Sequence, residues 1–389
     1  IVDPHESANV SGLAGIDYIL DQTEDVKANV YVMMPSCVPA TAIDDNGCTL
    51  TAEDMVPYLH NSRILGLGEV MDSISVVQGE KSMHDKLELF EGRIRDGHAP
   101  FLEEGDLQAY AMAGIATDHE CSFFDYAMRE RRNGLTILVR EGSAARNLEA
   151  LVGGLVQRHM NGDGFCFCTD DKHIEDIQRE GHIDHNVRKA IRLGMNPISA
   201  IKMATINAAK HFRLEDKIGS VAPGRFADIL LIDDLTTMKP KLVLKSGRIV
   251  ADENGARPVP EKAYPEKLFD TVHIGADFSA EKFIIHSEGK RAKCRVIDLI
   301  KDQIINKEIL EWMDVKDGQI AADVDRDILK LAVVERYGKN GRVSTALVHG
   351  FGLKQGALAA SVSHDHHNIV VVGTNDRDMA VCVEKLQKL

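Results

Sequence analysis

No apolar run in this chain reaches about 18 residues, the length a helix needs to cross a bilayer, which excludes a membrane-spanning helix. Aromatic side chains are also scarce, at 5% of residues with Trp312 as the single tryptophan. Basic residues are in deficit: 46 Lys and Arg against 60 Asp and Glu leave a net charge of −14. A nucleic-acid surface needs clustered cations to displace counterions, so that class of partner is excluded. The seven cysteines are odd in number and scattered, which does not make a disulfide framework. Cys37, Cys121, Cys166 and Cys168 sit beside apolar or aromatic neighbours, the usual setting of a buried free thiol. No Gly-x-Gly-x-x-Gly follows a strand, and no Cys-x-x-Cys occurs. The first gap argues against an open dinucleotide-binding sheet. The second excludes the zinc ligation of cytidine-deaminase-type enzymes.

What is present is ordinary globular composition, with 44% hydrophobic and 27% charged residues, over 389 residues. That length suggests two or three domains. To about residue 212, strand-like and helix-like segments alternate. Strands are expected at 28–35, 63–70, near 96–100, 115–120, 135–140 and 164–169. Helices are expected from Thr51 and over 82–95, 107–113, 123–132, 144–159, 174–193 and 197–212. Such alternation implies a parallel sheet with helices around it, either barrel or doubly wound. Residues 218–251 change to short strands with Gly and Pro turns, a small β module. Ala256–Pro265 holds three prolines and reads as a linker. Beyond it, strands near 283–285, 343–348 and 368–372, with helices over 325–337 and 378–389, make a further α/β unit. The expected division is 1–212, 213–265 and 266–389.

The stretch Gly164-Phe-Cys-Phe-Cys-Thr-Asp-Asp-Lys-His173 concentrates the chemistry. Its period of two places Cys166, Cys168 and Asp170 on one face and Phe165 and Phe167 on the other. A carboxylate at the C-terminal end of a buried strand is how an α/β barrel mounts a catalytic group. Asp170-Asp171 capping the next helix is the plain alternative. Three more strand ends carry groups that bind metals: Glu69 in GLGEV, His98 in DGHAP and His119 in TDHE. The gap before Asp170 skips one strand, LTILVR, which carries Glu141 instead. Each residue alone has a structural explanation. Four ligand types on four separate strand ends form a pattern that chance rarely makes, and mixed N/O ligands suit divalent Zn, Mn or Fe. Glu120 could assist proton transfer, whereas Glu141 could equally pair with Arg140 or Arg146. His5 and Glu6, in Val2-Asp-Pro-His-Glu6, could line a pocket or belong to a turn. Ser363-His-Asp-His-His-Asn368, containing His364 and His367, could bind a metal, cover a barrel mouth or be an exposed loop.

GLGEV, DGHAPFL, Gly114–Glu120, FCTDD and IGSVAPGRFADILLI resemble the amidohydrolase superfamily. With Val2–Glu6, Met34–Pro39, Gly181-His-Ile-Asp184 and Ser363–Asn368, the resemblance narrows to its bacterial-type adenine deaminases and runs the length of the chain. It implies a metal-dependent (β/α)8 TIM-type barrel, a small β-sandwich module and a C-terminal α/β domain. It implies a binuclear Mn or Fe centre, with Zn as a further possibility, and hydrolysis of adenine to hypoxanthine and ammonia. Glu69 would bridge the metals, His98 and His119 would bind the second, and Asp170 would bind the first and act as a base. A cytoplasmic homo-oligomer acting on a small molecule, with no membrane or nucleic-acid partner, is the accompanying expectation. The superfamily's His-x-His pair on the first strand is not found, and the chain starts at Ile1 in mid-motif. A fragment lacking its first strand and its last C-terminal strands, with an incomplete first metal site, is therefore expected.

Overall fold

The computed structural model describes residues 1–301 and 306–388. These divide into two compact units that are interleaved in sequence. The first comprises residues 1–4, 17–37 and 50–263; the second comprises 5–16, 38–49 and 264–389.

Six parallel strands organise the first unit: β1 (Val32–Pro35), β2 (Ile64–Val70), β3 (Ile94–Gly97), β4 (Thr117–Asp118), β5 (Thr136–Arg140) and β6 (Phe165–Cys168). They pair in the orders β1-β2-β3 and β4-β5-β6. The two triplets meet where the Ala116 N–H donates to the Arg95 carbonyl (3.0 Å) and the Gly97 N–H to Thr117 Oγ1 (2.8 Å). Val2 adds a parallel bridge to Val32 on the other side. Strands in chain order, parallel and separated by helices, are the repeating element of the TIM-type barrel. Strands β1, β2, β5 and β6 are apolar over most of their length, as expected of parallel strands covered on both faces. Phe165 and Phe167 face outward, packing with Leu148, Leu151, Val152 and Leu155 of the helix Leu148–Gln157. The thiols of Cys166 and Cys168 lie within electrostatic reach of Asp96, and burial pushes both pKa values up, Cys166 to about 12. The period-two reading therefore holds within this strand.

It does not extend to Asp170. The strand stops at Cys168, and Asp170 adopts a left-handed backbone with φ of 56°. Other boundaries move as well. The helix expected over 82–95 ends at Leu89, and Ile94 opens β3 instead. The helix expected over 174–193 is broken at Gly181 (φ 100°) into Ile174–Glu180 and Ile183–Arg192. That over 197–212 is broken into Pro197–Met203 and Ile206–His211.

The β module folds beside this barrel within the same unit. It comprises β7 (Ile229–Ile232), β8 (Pro240–Lys245), β9 (Arg248–Asp252) and β10 (Gly255–Ala256), antiparallel in the order β10-β9-β8-β7. The expected sandwich is represented by this one sheet among the described residues. A cleft of about 1050 Å³ lies between β7 and the helices Ile183–Arg192 and Ile206–His211.

The second unit is built on one eight-stranded sheet. Its strands are β11 (Ile285–His286), β12 (Arg291–Leu299), β13 (Asn306–Lys316), β14 (Gln319–Ile320), β15 (Ile328–Val334), β16 (Val343–His349), β17 (Ala357–Ala360) and β18 (Ile369–Gly373). The order is β11-β14-β13-β12-β16-β15-β18-β17. The helix Asp376–Leu386 covers it through Met379, Ala380 and Val383. The helix expected over 325–337 is the strand β15, and this unit is sheet-rich. The expected C-terminal helix is present to Leu386, while Leu389 lies outside the described residues.

Candidate metal centre at the strand ends

Glu69 is delivered by β2, which is thin enough to pack closely. A Cβ at Gly66 would sit 2.0 Å from the Ile94 carbonyl oxygen, so only glycine allows this strand spacing. His98 follows β3 and is positioned through its backbone. Its N–H donates to Tyr110 Oη (2.9 Å), and the Tyr110 hydroxyl donates to the Val70 carbonyl (2.6 Å). One fully buried tyrosine thus ties the ends of β2 and β3 together.

Asp118 does the same for the next strand end. Its Oδ1 accepts from the Ala99 N–H (2.7 Å), and its Oδ2 from the N–H groups of Glu120 (2.8 Å) and Cys121 (2.9 Å). This fixes the backbone on either side of His119 and anchors the residue after His98. Asp170, past β6, accepts from Arg140 Nη1 on Oδ2 (2.6 Å) and from the Asp171 N–H on Oδ1 (2.9 Å). The same Arg140 nitrogen also donates to Glu120 Oε1.

These elements bring four of the expected ligands, with Glu120, to one mouth. His98 Nδ1 lies 3.3 Å from His119 Nε2. Glu69 Oε2 is 3.8 Å from His98 Nδ1, and Glu69 Oε1 is 3.9 Å from His119 Nε2. Glu120 Oε1 is 3.9 Å from His98 Nδ1 and 3.7 Å from His119 Nε2. Ligand atoms of Glu69, His98 and His119 fall within 4.8 Å of one another, as do those of His119, Glu120 and Asp170. Donors bound to one ion at about 2.0–2.2 Å lie about 3–3.5 Å from each other. The donor set therefore fits a divalent cation.

Electrostatics agree with that reading. Burial opposes a charge on His119, but the carboxylates of Glu69, Asp170, Asp118 and Glu120 overcome it and lift its pKa to about 9. Burial and neighbouring His119 instead lower that of His98. Burial alone would raise Asp170, yet His119 and Arg140 hold it below the usual carboxylate range. Several carboxylates thus converge on a mouth where Arg140 brings a permanent positive charge to Glu120 and Asp170.

Glu141 is fully buried and pairs with Lys189 (2.7 Å) and more distantly with Arg146 (3.8 Å), not with Arg140. It belongs to none of the ligand groupings found among the described residues. His5, Glu6, His364 and His367 lie in the second unit, where Glu6 Oε1 is 2.8 Å from His364 Nδ1 and His5 Nε2 is 3.6 Å from Asp365 Oδ1. Arg140, Asp118 and Tyr110 are site residues that sequence reading does not single out. Arg140 and Asp118 left a signal, each as the last residue of its strand.

Residues 1–250 match the family described as Amidohydrolase family, and residues 303–389 match the Adenine deaminase C-terminal domain. A protein named adenine deaminase from Desulfitobacterium hafniense (strain Y51) is 46% identical over 389 residues, covering 100% of this chain and 67% of that protein. Another of that name, from Desulforamulus reducens, is 44% identical over 390 residues, covering 99% of this chain and 66% of its own length. The chain therefore spans about two thirds of the curated relatives it matches. Among solved structures, a β-aspartyl dipeptidase from Fervidobacterium islandicum AW-1 aligns at 13% identity with a TM-score of 0.46, covering 64% of this chain and 72% of that one.

Proposed function

This chain belongs to the amidohydrolase family, and to the adenine deaminases within it, and from that premise we propose that it hydrolyses adenine to hypoxanthine and ammonia. The observation that carries this reading is the convergence of Glu69, His98, His119, Glu120 and Asp170 on one strand-end mouth. Family membership brings metal dependence, and here Glu69, His98, His119 and Asp170 would hold divalent cations. Mn or Fe is the proposed metal, and Zn suits the same donors. When bound, such a cation brings the pKa of water from 15.7 to about 7, which supplies a nucleophile at neutral pH.

The chain's own groups handle the protons. Water adds to C6 of the ring, and Asp170 accepts its proton through a carboxylate oxygen. The proton then passes to a ring nitrogen or to the departing amine as the C6–N bond breaks and ammonia leaves. A depressed pKa keeps Asp170 ionised and ready to accept. Arg140 holds Oδ2, which fixes the plane of the carboxylate. Glu120, tied to the same guanidinium, is placed to assist.

Asp170→Asn is the test. With Mn(II) or Fe(II) supplied, it is expected to lose essentially all ammonia release from adenine while its circular dichroism stays native. Normal turnover by that variant would overturn the mechanism. A panel of adenine, cytosine, guanine and dihydropyrimidines checks the substrate, and release from a compound other than adenine alone would point to another amidohydrolase activity.

A further inference from the structure

The second unit contains a group of donors that the barrel chemistry does not use. Glu6 lies in the first turn of the helix His5–Ser11, and the turn Ser363–Asn368 leads into β18. The fold joins them: Glu6 Oε1 is 2.8 Å from His364 Nδ1, and the rings of His364 and His367 are 5.5 Å apart. One ligand atom each from Glu6, His364 and His367 lies within 4.8 Å of the other two.

His367 is the informative member. It is 8% exposed, and its Nε2 is buried with no hydrogen-bond partner. The other nitrogen, Nδ1, faces the turn's own backbone, 3.4 Å from the Ser363 N–H, and the ring also contacts the Ser361 carbonyl. A cation on Nε2 needs the ring proton on Nδ1, so its binding would displace the 3.4 Å bond that Nδ1 accepts from the Ser363 N–H. A buried nitrogen without a partner costs about 1–3 kcal/mol unless something binds it.

The turn is also held in place. Arg336 donates from Nη1 to the His367 carbonyl (3.1 Å) and from its backbone N–H to Asn368 Oδ1 (3.2 Å), and the Tyr337 hydroxyl donates to the His366 carbonyl. Glu6 and His364 keep side-chain exposures of 34% and 46%, which gives an ion a way in.

We propose that Glu6, His364 and His367 form a second metal site that takes a borderline divalent cation such as Zn(II). Two imidazoles and one carboxylate are the donors such ions select, with the remaining positions left to water or a ligand.

Zn(II) stoichiometry tests this. The chain is stripped with a chelator, reloaded, dialysed and measured by elemental analysis, alongside calorimetric titration with Zn(II). Glu6→Gln/His364→Asn is expected to bind one equivalent fewer than the parent with unchanged circular dichroism. A His98→Asn/His119→Asn variant is expected to keep that equivalent. Loaded with Co(II), it should show d–d absorption bands that disappear when Glu6→Gln/His364→Asn is added. Equal Zn(II) content in the parent and Glu6→Gln/His364→Asn would overturn the site. So would a His98→Asn/His119→Asn variant that is folded but binds neither ion, a readout that leaves the cluster itself unaltered.

Discussion

Arg140 is 3% exposed and carries the carboxylates of both Glu120 and Asp170 on one nitrogen. Removing one member of a buried charge group typically costs about 3–5 kcal/mol, because the remaining charges are left uncompensated. Arg140→Leu is therefore expected to lower stability by that order, read by denaturant titration. It should also cut turnover by about 10²-fold through loss of Asp170 alignment. Arg140→Lys restores the charge without the fork and should recover stability better than turnover. Glu130 gives the pH dependence. Burial, then the Asp118 charge, lifts its carboxyl to about 9. A carboxyl raised in the folded state contributes stability below its unfolded value, near 4.5, and loses it as pH climbs through about 9. The unfolding temperature should therefore fall from pH 5 to 9, and more shallowly in Glu130→Gln. At this scale the proposed ligands stood out in the sequence because they are chemically unusual at strand ends. Asp118, Arg140 and Glu130 did not, since their importance comes from backbone amides and partners that only the fold brings near.

The strand ends owe their spacing to a few contacts between elements. Tyr110→Phe would leave the His98 N–H without its acceptor and the Val70 carbonyl without its donor. A loss of about 1–3 kcal/mol is expected, measured by thermal or denaturant unfolding. Gly66→Ala would drive a methyl to 2.0 Å from the Ile94 carbonyl oxygen and should force β2 and β3 apart. Loss of soluble folded protein, followed by circular dichroism, is the expected outcome. Elements with local signals were readable from sequence, such as the Thr51 cap with its reciprocal Asp54 bond. β15 was not. Residues 325–337 carry charges at both ends of an apolar run, which resembles a helix, but Ile328–Val334 is a buried central strand between β16 and β18. Lys330 within it is buried at 3% exposure because it reaches Asp376 at 2.6 Å. A distant partner decided that strand, and no local pattern reports it.

For the molecule as a whole, bound cations are predicted to contribute to stability as well as chemistry. An ion present at 100 times its dissociation constant stabilises the folded state by about 2.7 kcal/mol. Chelation should lower the unfolding temperature and re-addition of Mn(II) or Fe(II) restore it, with calorimetry as the check. The alternation of strands and helices made the barrel legible. The interleaving of the two units was not, because the segments 5–16 and 38–49 look like ordinary barrel loops. Their partners lie far along the chain: Asp45 is bonded by Arg342 at 2.6 Å and by Asn340 at 2.9 Å, and the Asn46 carbonyl accepts from Lys339. This sets a schedule for the nascent chain. A ribosome adds about 5–20 residues each second. Asp45 thus waits on the order of 15–60 s before Arg342 exists to meet it. During that interval residues 38–49 are a guest without a host, and a chaperone has time to reach them first.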